Sequence, residues 1–241
     1  MTTWQGAMTL LRSEGRRSWG GLIFTFVFFT YVAVVMMPVF QDMWEKGTAS
    51  RFGWLGDFLY LTILPNMAFV MNRNMMHYWS RDPFSRKLAY WRTLPISWNA
   101  IVLSRMVQHV VVLTVVAAYF FTLQYAVISG SGMRELLSPG AYALYALTWY
   151  GYAMAAGATY VFFEQTLHGK VYFAVCLSYV AVYVLVGIVL WLTHTSLMFA
   201  SIEAARDHRA VWPTVALLAG ALATFLVARL ARRQLAKRNL L

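Results

Sequence analysis

Six apolar stretches, each long enough to cross a lipid bilayer, constrain this chain more than any other feature of its sequence. They lie near residues 21–40, 54–71, 98–128, 140–163, 171–193 and 212–230. A hydrocarbon core of roughly 30 Å takes about 20 apolar residues per helix, and inside it every backbone amide must be hydrogen-bonded internally. The sequence therefore predicts an all-α integral membrane protein with six transmembrane helices, in a single transmembrane domain over residues 1–241.

The composition excludes an ordinary soluble domain. Of the 241 residues, 60% are hydrophobic and only 12% are charged, whereas a water-facing surface needs roughly 25% charged residues. No short apolar run with a small-residue cleavage site precedes the first stretch, so we expect the first helix to be retained. The single cysteine, Cys176, lies inside the fifth stretch and excludes a disulfide framework within the chain.

Positive charge is distributed unequally between the two sides of the predicted bundle. One side holds Arg12, Arg16, Arg17, Arg73, Arg81, Arg86, Lys87, Arg92, Lys170, Arg229, Arg232, Arg233, Lys237 and Arg238. The other side holds Lys46, Arg51, Arg134, Arg206 and Arg209. Because basic loops stay in the cytoplasm, we expect a multi-pass protein of the cell membrane with both termini cytoplasmic. Anionic lipid accounts for the net charge of +11, and no nucleic-acid partner is expected.

Two segments outside the apolar stretches are predicted to lie at the membrane surface. In residues 1–18, Trp4, Met8 and Leu11 recur at helical spacing and arginines follow, which is typical of an interfacial helix. A basic flank that only orients the first span would give the same pattern. Residues 194–211 are too polar to span the bilayer and are predicted to form an external segment.

The longest cytoplasmic loop, residues 72–96, is predicted to contain a short basic amphipathic helix. Asp82 can cap its first amides, Pro83 suits the first helical position, and Pro95 ends it. The helix carries an apolar face and basic residues: Phe84, Leu88 and Trp91, with Arg86, Lys87 and Arg92. Such a helix either binds a partner or only rests on lipid.

Four polar residues lie within or beside the apolar stretches: Asn66, Arg105, His109 and Glu164. Asn66 follows Pro65, which is expected to kink the second helix, and it is a candidate to line a pathway. Ionisable groups are costly in lipid and are therefore functional candidates. Arg105 and Glu164 either form an ion pair or, with His109, extend to the interface. Asp57 is expected at the interface rather than buried.

Together these residues carry a resemblance to a known family. The basic loop helix, Leu94-Pro95-Ile96-Ser97, and Ile101-Val-Leu-Ser-Arg105 leading into the third span resemble the type-2 permease family of ATP-binding-cassette (ABC) exporters. The resemblance covers the whole chain, since the segment 1–18 resembles the family's elbow helix. It implies that the loop helix is a coupling helix, which binds an ABC ATPase through Phe84, Arg86, Lys87, Leu88, Trp91 and Arg92.

The resemblance implies the permease subunit of an exporter that moves an amphipathic substrate, such as a peptide or a drug, out of the cell. It also implies a second permease subunit, in a homodimer or heterodimer, and a separate ATPase that holds ATP and Mg²⁺. A phosphate-binding Walker loop needs Gly-Lys-Ser/Thr, but Gly169-Lys170 is followed by Val171. We therefore expect this chain to bind no cofactor and to hydrolyse no ATP.

Two other classes of protein compete with a permease. A passive immunity or accessory membrane protein would share the same topology. A membrane-embedded enzyme would need converging acids, bases or a nucleophile, but the histidines are scattered and no His-Glu-x-x-His or Gly-x-Ser-x-Gly pattern is present. We expect no catalytic residues and no metal site. Copurification of an ATPase would separate these classes.

Overall fold

The computed structural model describes residues 2–47, 53–71, 82–130 and 138–237. They form ten α-helices and a 3₁₀ helix. In chain order these are α1 (Thr3–Arg17), α2 (Trp19–Val35), α3 (Met37–Lys46), α4 (Gly53–Ile63), the 3₁₀ helix (Leu64–Ala68), α5 (Pro83–Arg92), α6 (Trp98–Gly130), α7 (Pro139–Thr166), α8 (Gly169–Leu192), α9 (Leu197–Arg206) and α10 (Val211–Lys237). The prediction of an all-α protein is confirmed for the part of the chain that the structure describes.

Four helical segments are long and apolar enough to cross a membrane. They are Trp19–Met43, Trp98–Gly130, Gly169–Leu192 and Val211–Lys237, and they match the first, third, fifth and sixth predicted stretches. Such segments indicate a membrane protein. The second and fourth predicted stretches are not among the four, and each has its own physical reason.

The second predicted stretch is not one continuous α-helix. The α-helix ends at Ile63 and a 3₁₀ helix continues to Ala68, with Pro65 in its first turn. Proline removes an amide donor and its ring crowds the preceding turn, so the predicted break at Pro65 is confirmed. The fourth stretch forms the continuous 28-residue helix α7, but its many tyrosines make it less apolar than the four spanning segments.

The most extensive helix interface joins α7 and α10. A Cβ atom at Gly151 would lie 2.4 Å from the backbone carbonyl carbon of Ala216. A Cβ atom at Gly220 would lie 2.8 Å from the carbonyl oxygen of Gly151. These two glycines therefore let the two backbones touch, as small residues do in other membrane helix pairs.

The short helix α9 within the predicted external segment is capped by a side chain from a distant helix. Asp57 of α4 is fully buried and accepts hydrogen bonds from the amides of Leu197 (3.1 Å) and Met198 (2.7 Å) and from the hydroxyl of Ser196 (3.2 Å). The first amides of an α-helix have no carbonyl partner within the helix, and here the carboxylate accepts their hydrogen bonds. The expectation that Asp57 is interfacial rather than buried is wrong, because this capping role draws it into the interior.

Candidate partner-binding site

The loop helix α5 begins and ends where the sequence predicts. The Asp82 side chain accepts a hydrogen bond from the amide of Ser85 (3.3 Å), and Pro83 is the first helical residue. The helix ends at Arg92, before Pro95. Asp82 also lies 3.1 Å from Nε2 of His168, in the turn between α7 and α8. The start of α5 is therefore held against the turn between α7 and α8. Residues 72–81 of the predicted loop lie outside the described residues.

The apolar face of α5 packs against the protein itself. Leu88 is only 4% exposed and Trp91 only 7%, and the ring of Phe84 packs edge-on against Tyr172 of α8, with centroids 6.1 Å apart. The sequence correctly placed these three residues on one face. In this conformation, however, that face is covered by the chain's own helices, so Leu88 and Trp91 are not available to a partner.

The exposed residues of α5 are basic and partly aromatic. Arg86 and Arg92 are exposed, as is Tyr90, at 64%. The Arg92 guanidinium lies 5.3 Å from the ring centroid of Trp98, which is within cation–π range. Sequence reasoning missed Tyr90, although its spacing of four residues from Arg86 would have placed the two side by side. A basic aromatic face of this kind complements an acidic protein surface.

Beneath α5, four charged side chains from four helices form what we call the charge cluster: Glu14 of α1, Lys87 of α5, Arg105 of α6 and Glu164 of α7. Lys87 pairs with Glu14 and Arg105 pairs with Glu164. A third contact joins Arg105 Nη1 to Glu14 at 3.6 Å. The Arg105–Glu164 pair, one of the two arrangements that the sequence left open, is formed. Sequence reasoning missed Glu14, although it is the sole acidic residue of α1.

Three of the four side chains in the charge cluster are shielded from water, and the four charges balance. The exposed fractions of the side chains are 3% for Glu164, 13% for Arg105, 14% for Glu14 and 37% for Lys87. Burial of single charges would be costly, but two cations facing two carboxylates offset that cost. Gln108 accepts a further hydrogen bond from Arg105 at 2.7 Å. The cluster thus ties α1, α5, α6 and α7 together at one end of the bundle.

Lys87 is only partly buried, but this environment still shifts its protonation. Burial lowers its pKa, the nearby Arg105 guanidinium lowers it further, and Glu14 offsets only part of both effects. Its ammonium also lies 4.7 Å from the ring centroid of Trp91. The packing of Trp91 over Lys87 therefore helps to shield the cluster from water.

His109 and Asn66 lie outside the charge cluster. His109 is 1% exposed, and its Nε2 donates to the carbonyl of Met154 in α7 at 3.2 Å. This contact makes His109 a link between α6 and α7 rather than a member of the ion pairs. Asn66 is exposed and lines a separate cavity between α4 and α8. The structure therefore brings Arg105 and Glu164 together and keeps the other two candidates apart from them.

The side chains of this site form ion pairs and contacts between helices. Within the described ranges, no three His, Cys, Asp or Glu side chains are arranged to hold a metal ion. No protein-family model matches this chain, and neither a curated protein nor a solved structure shows significant similarity to it. The features that bear on function are therefore α5 and the charge cluster.

Proposed function

We propose that this chain is the permease subunit of an ABC exporter and that α5 is its coupling helix. In this proposal the chain crosses the membrane six times, with α4 plus the 3₁₀ helix and α7 as the second and fourth spans, and both termini are cytoplasmic. The observation that carries the proposal is the charge cluster. It connects the surface helix to α1 through the Lys87–Glu14 pair, and to α6 and α7 through the contacts of Arg105 with Glu14 and Glu164.

The way α5 is held favours coupling over a helix that only rests on lipid. A lipid-bound helix would bury its apolar face in the membrane, whereas α5 buries Leu88 and Trp91 in protein. Its exposed residues Arg86, Tyr90 and Arg92 are then free to dock on a motor subunit. Nucleotide-driven movement of that ATPase would displace α5, and the cluster would carry the displacement to α6 and α7.

The other parts of the proposal follow from it. ATP and Mg²⁺ would bind to the partner ATPase, and a second permease subunit would complete the transporter. The transported molecule is amphipathic, such as a peptide or a drug. A passive accessory protein would not bind an ATPase, and its function would not depend on the exposed residues of α5. Purification of the chain together with its partners therefore separates the two classes.

The proposal is tested by affinity purification of the tagged chain from its native membranes, followed by measurement of vanadate-sensitive ATP hydrolysis in the eluate. Tyrosine and arginine are the residues that most often dominate interface energy, and losing one costs about 2 kcal/mol or more. We therefore expect Arg86→Glu with Arg92→Glu to lower the retained ATPase at least tenfold. Arg232→Glu with Arg233→Glu changes the same charge on exposed positions of α10 and is the matched control.

Two outcomes would contradict the proposal. The first is an eluate with no ATPase although the chain is intact and folded. The second is equal ATPase retention in the α5 variant and in the α10 control. A loss in both variants would point to a general effect of charge at the membrane surface, and it would also count against α5 as the docking site.

The proposed orientation has its own test. A cysteine at the exposed position Glu203 of α9 should react with an impermeant thiol reagent added outside intact cells, and a cysteine at Arg86 of α5 should not, both in a Cys176→Ser background. Labelling of position 86 from outside would place α5 on the wrong side of the membrane for a cytoplasmic motor.

A further inference from the structure

One face of the bundle, shared by α4 and α8, is not used by the charge cluster. Trp54, Phe58, Thr62 and Asn66 recur at every fourth position along this face. They lie opposite α8, which runs antiparallel, and an added Cβ at Gly187 would lie 4.0 Å from the Cβ of Phe58. Two cavities follow one another along this pair of helices. We call the whole feature the α4–α8 groove.

The cavity at one end of the groove is apolar. It has a volume of about 400 Å³ and is lined by Trp54, Phe58, Val184, Gly187, Ile188 and Trp191. This volume falls within the range of roughly 300–1,000 Å³ that small-molecule sites have. Two tryptophans and branched aliphatic side chains, with a glycine that keeps the space open, suit a hydrocarbon chain.

The cavity at the other end is smaller and has a mixed lining, and we call it the polar cavity because hydrogen-bonding groups stand among its apolar side chains. Its volume is about 190 Å³, and it is lined by Thr62, Asn66, Phe69, Tyr160, Tyr172, Cys176, Val180 and Tyr183. The Asn66 amide nitrogen donates to the Thr62 carbonyl at 2.7 Å, which leaves its amide oxygen as an acceptor. Within the described lining of either cavity no side chain is charged. This end therefore suits a head group that hydrogen-bonds without carrying a net charge.

The groove has a defined direction relative to α5. Tyr172 lines the polar cavity and is also the residue against which Phe84 of α5 packs. The polar end therefore lies at the end of the bundle where α5 sits, and the apolar end lies toward the opposite side. The helical rise between Trp54 and Asn66 makes the groove about 18 Å long or more, which is more than half of a hydrocarbon core of roughly 30 Å.

We propose that the α4–α8 groove binds an amphipathic molecule with a single apolar chain and an uncharged, hydrogen-bonding head group. The chain lies against Trp54 and Trp191, and the head lies against Asn66 and Tyr172. Binding of a ligand in the groove does not depend on the proposed permease function. The further statement that the groove is the substrate site, and that the substrates are neutral single-chain amphiphiles, rests on that function.

Charge separates this ligand from the ordinary lipids around it. An anionic phospholipid head would need a cation at the polar end, but the described lining of the polar cavity contains none, and Lys87 and Arg105 already pair with carboxylates in the charge cluster. A cationic head would need a carboxylate there, and Glu164 is already paired with Arg105. A neutral head makes neither demand.

The test uses the purified full-length chain in nanodiscs, without an ATPase, and a monoacylglycerol that carries a photoreactive diazirine. With the diazirine at the chain end, the labelled peptides should contain Trp54 and Trp191. With the diazirine on the glycerol, they should contain Asn66 and Tyr172. Unlabelled monoacylglycerol should compete, and lysophosphatidylglycerol, which is anionic, should not.

Variants make the test specific. Gly187→Leu fills the apolar cavity and should lower labelling at least fivefold, whereas Val182→Leu, on an exposed position of the same helix, should leave it unchanged. If Gly187→Leu does not fold, Val184→Trp fills the same cavity from its rim. The retained thermal melting temperature of each variant shows that the bundle is intact.

Three outcomes would contradict the proposal that the groove binds this ligand. The first is equal labelling of exposed α10 positions such as Leu218 and Leu222, which would indicate bulk lipid. The second is unchanged labelling in both cavity-filling variants. The third is an absence of labelling together with cross-linking of two copies through a cysteine at Ile188, which would make this face a subunit interface. Because no ATPase is present in this experiment, specific labelling would support the binding site even if the permease proposal were wrong. A copurifying ATPase would likewise support the permease proposal even if the groove bound no ligand.

Discussion

Glu164 is the position at which the charge cluster can be tested most directly. Its carboxylate, 3% exposed, is the main partner of Arg105. Glu164→Gln keeps the shape of the side chain and removes its charge, so the cluster changes from balanced to a net positive charge. Arg105 then keeps its hydrogen bond to Gln108 at 2.7 Å and its contact with Glu14 at 3.6 Å, and Glu14 is shared with Lys87.

The expected size of the effect follows from these remaining contacts. Removing one partner of a fully buried ion pair costs about 3–5 kcal/mol, because the other charge is left uncompensated. Arg105 keeps other contacts, including those with Gln108 and Glu14, and some access to solvent, so we expect a smaller loss in the free energy of unfolding, about 2 kcal/mol. That loss corresponds to roughly a thirtyfold change in the equilibrium constant.

The assay is reversible unfolding by SDS titration in mixed micelles. A double-mutant cycle with Arg105→Gln should give a coupling energy of at least about 1 kcal/mol, because contacting charges are not additive. Glu203→Gln, at an exposed position of α9, is the control and should stay within about 0.5 kcal/mol of the parent. A loss below about 0.5 kcal/mol for Glu164→Gln, or strictly additive effects, would refute the structural role of the cluster.

Three further predictions concern packing, capping and pH. Gly151→Ala should lose about 1–3 kcal/mol of stability in the same titration through overpacking against α10, while Gly140→Ala, which meets open space, should lose none. Asp57→Asn should cost about 1–2 kcal/mol and speed amide hydrogen exchange in α9, whereas equal exchange in parent and variant would contradict the cap. Because the pKa of Lys87 is lowered in the folded state, the folded protein releases this proton at a lower pH than the unfolded chain does, so stability should rise as pH increases toward about 10.4. Lys87→Met should abolish that rise, and the exposed Lys170→Met should not.

The positions of the long helices could be predicted from the sequence because a run of about 20 apolar residues has few alternatives in a bilayer. The runs at 98–128 and 171–193 correspond closely to α6 and α8. The start of α5 was also predictable, since Asp82 and Pro83 act through local geometry. Local signals of this kind depend only on neighbours in the chain.

The rest of the site depends on contacts between distant parts of the chain. The spacing of Leu88 and Trp91 predicted a common face, but periodicity is the same whether that face packs against a partner or against the chain's own helices. Asp57 caps residues about 140 positions later in the sequence, and Glu14 meets Arg105 across two helices. No local pattern could distinguish these roles from those of ordinary surface carboxylates.

The contact between Gly151 and Gly220 has a mechanical consequence. Helices separated by side chains can slide, since rotamers readjust as the helices shift, but two backbones in direct contact have no such compliance. The α7–α10 pair should therefore move as one rigid body when the rest of the bundle rearranges. Since Glu164 lies near the end of α7, a displacement of the charge cluster would tilt both helices together. Changes in helix packing would then be confined to the helices around this pair.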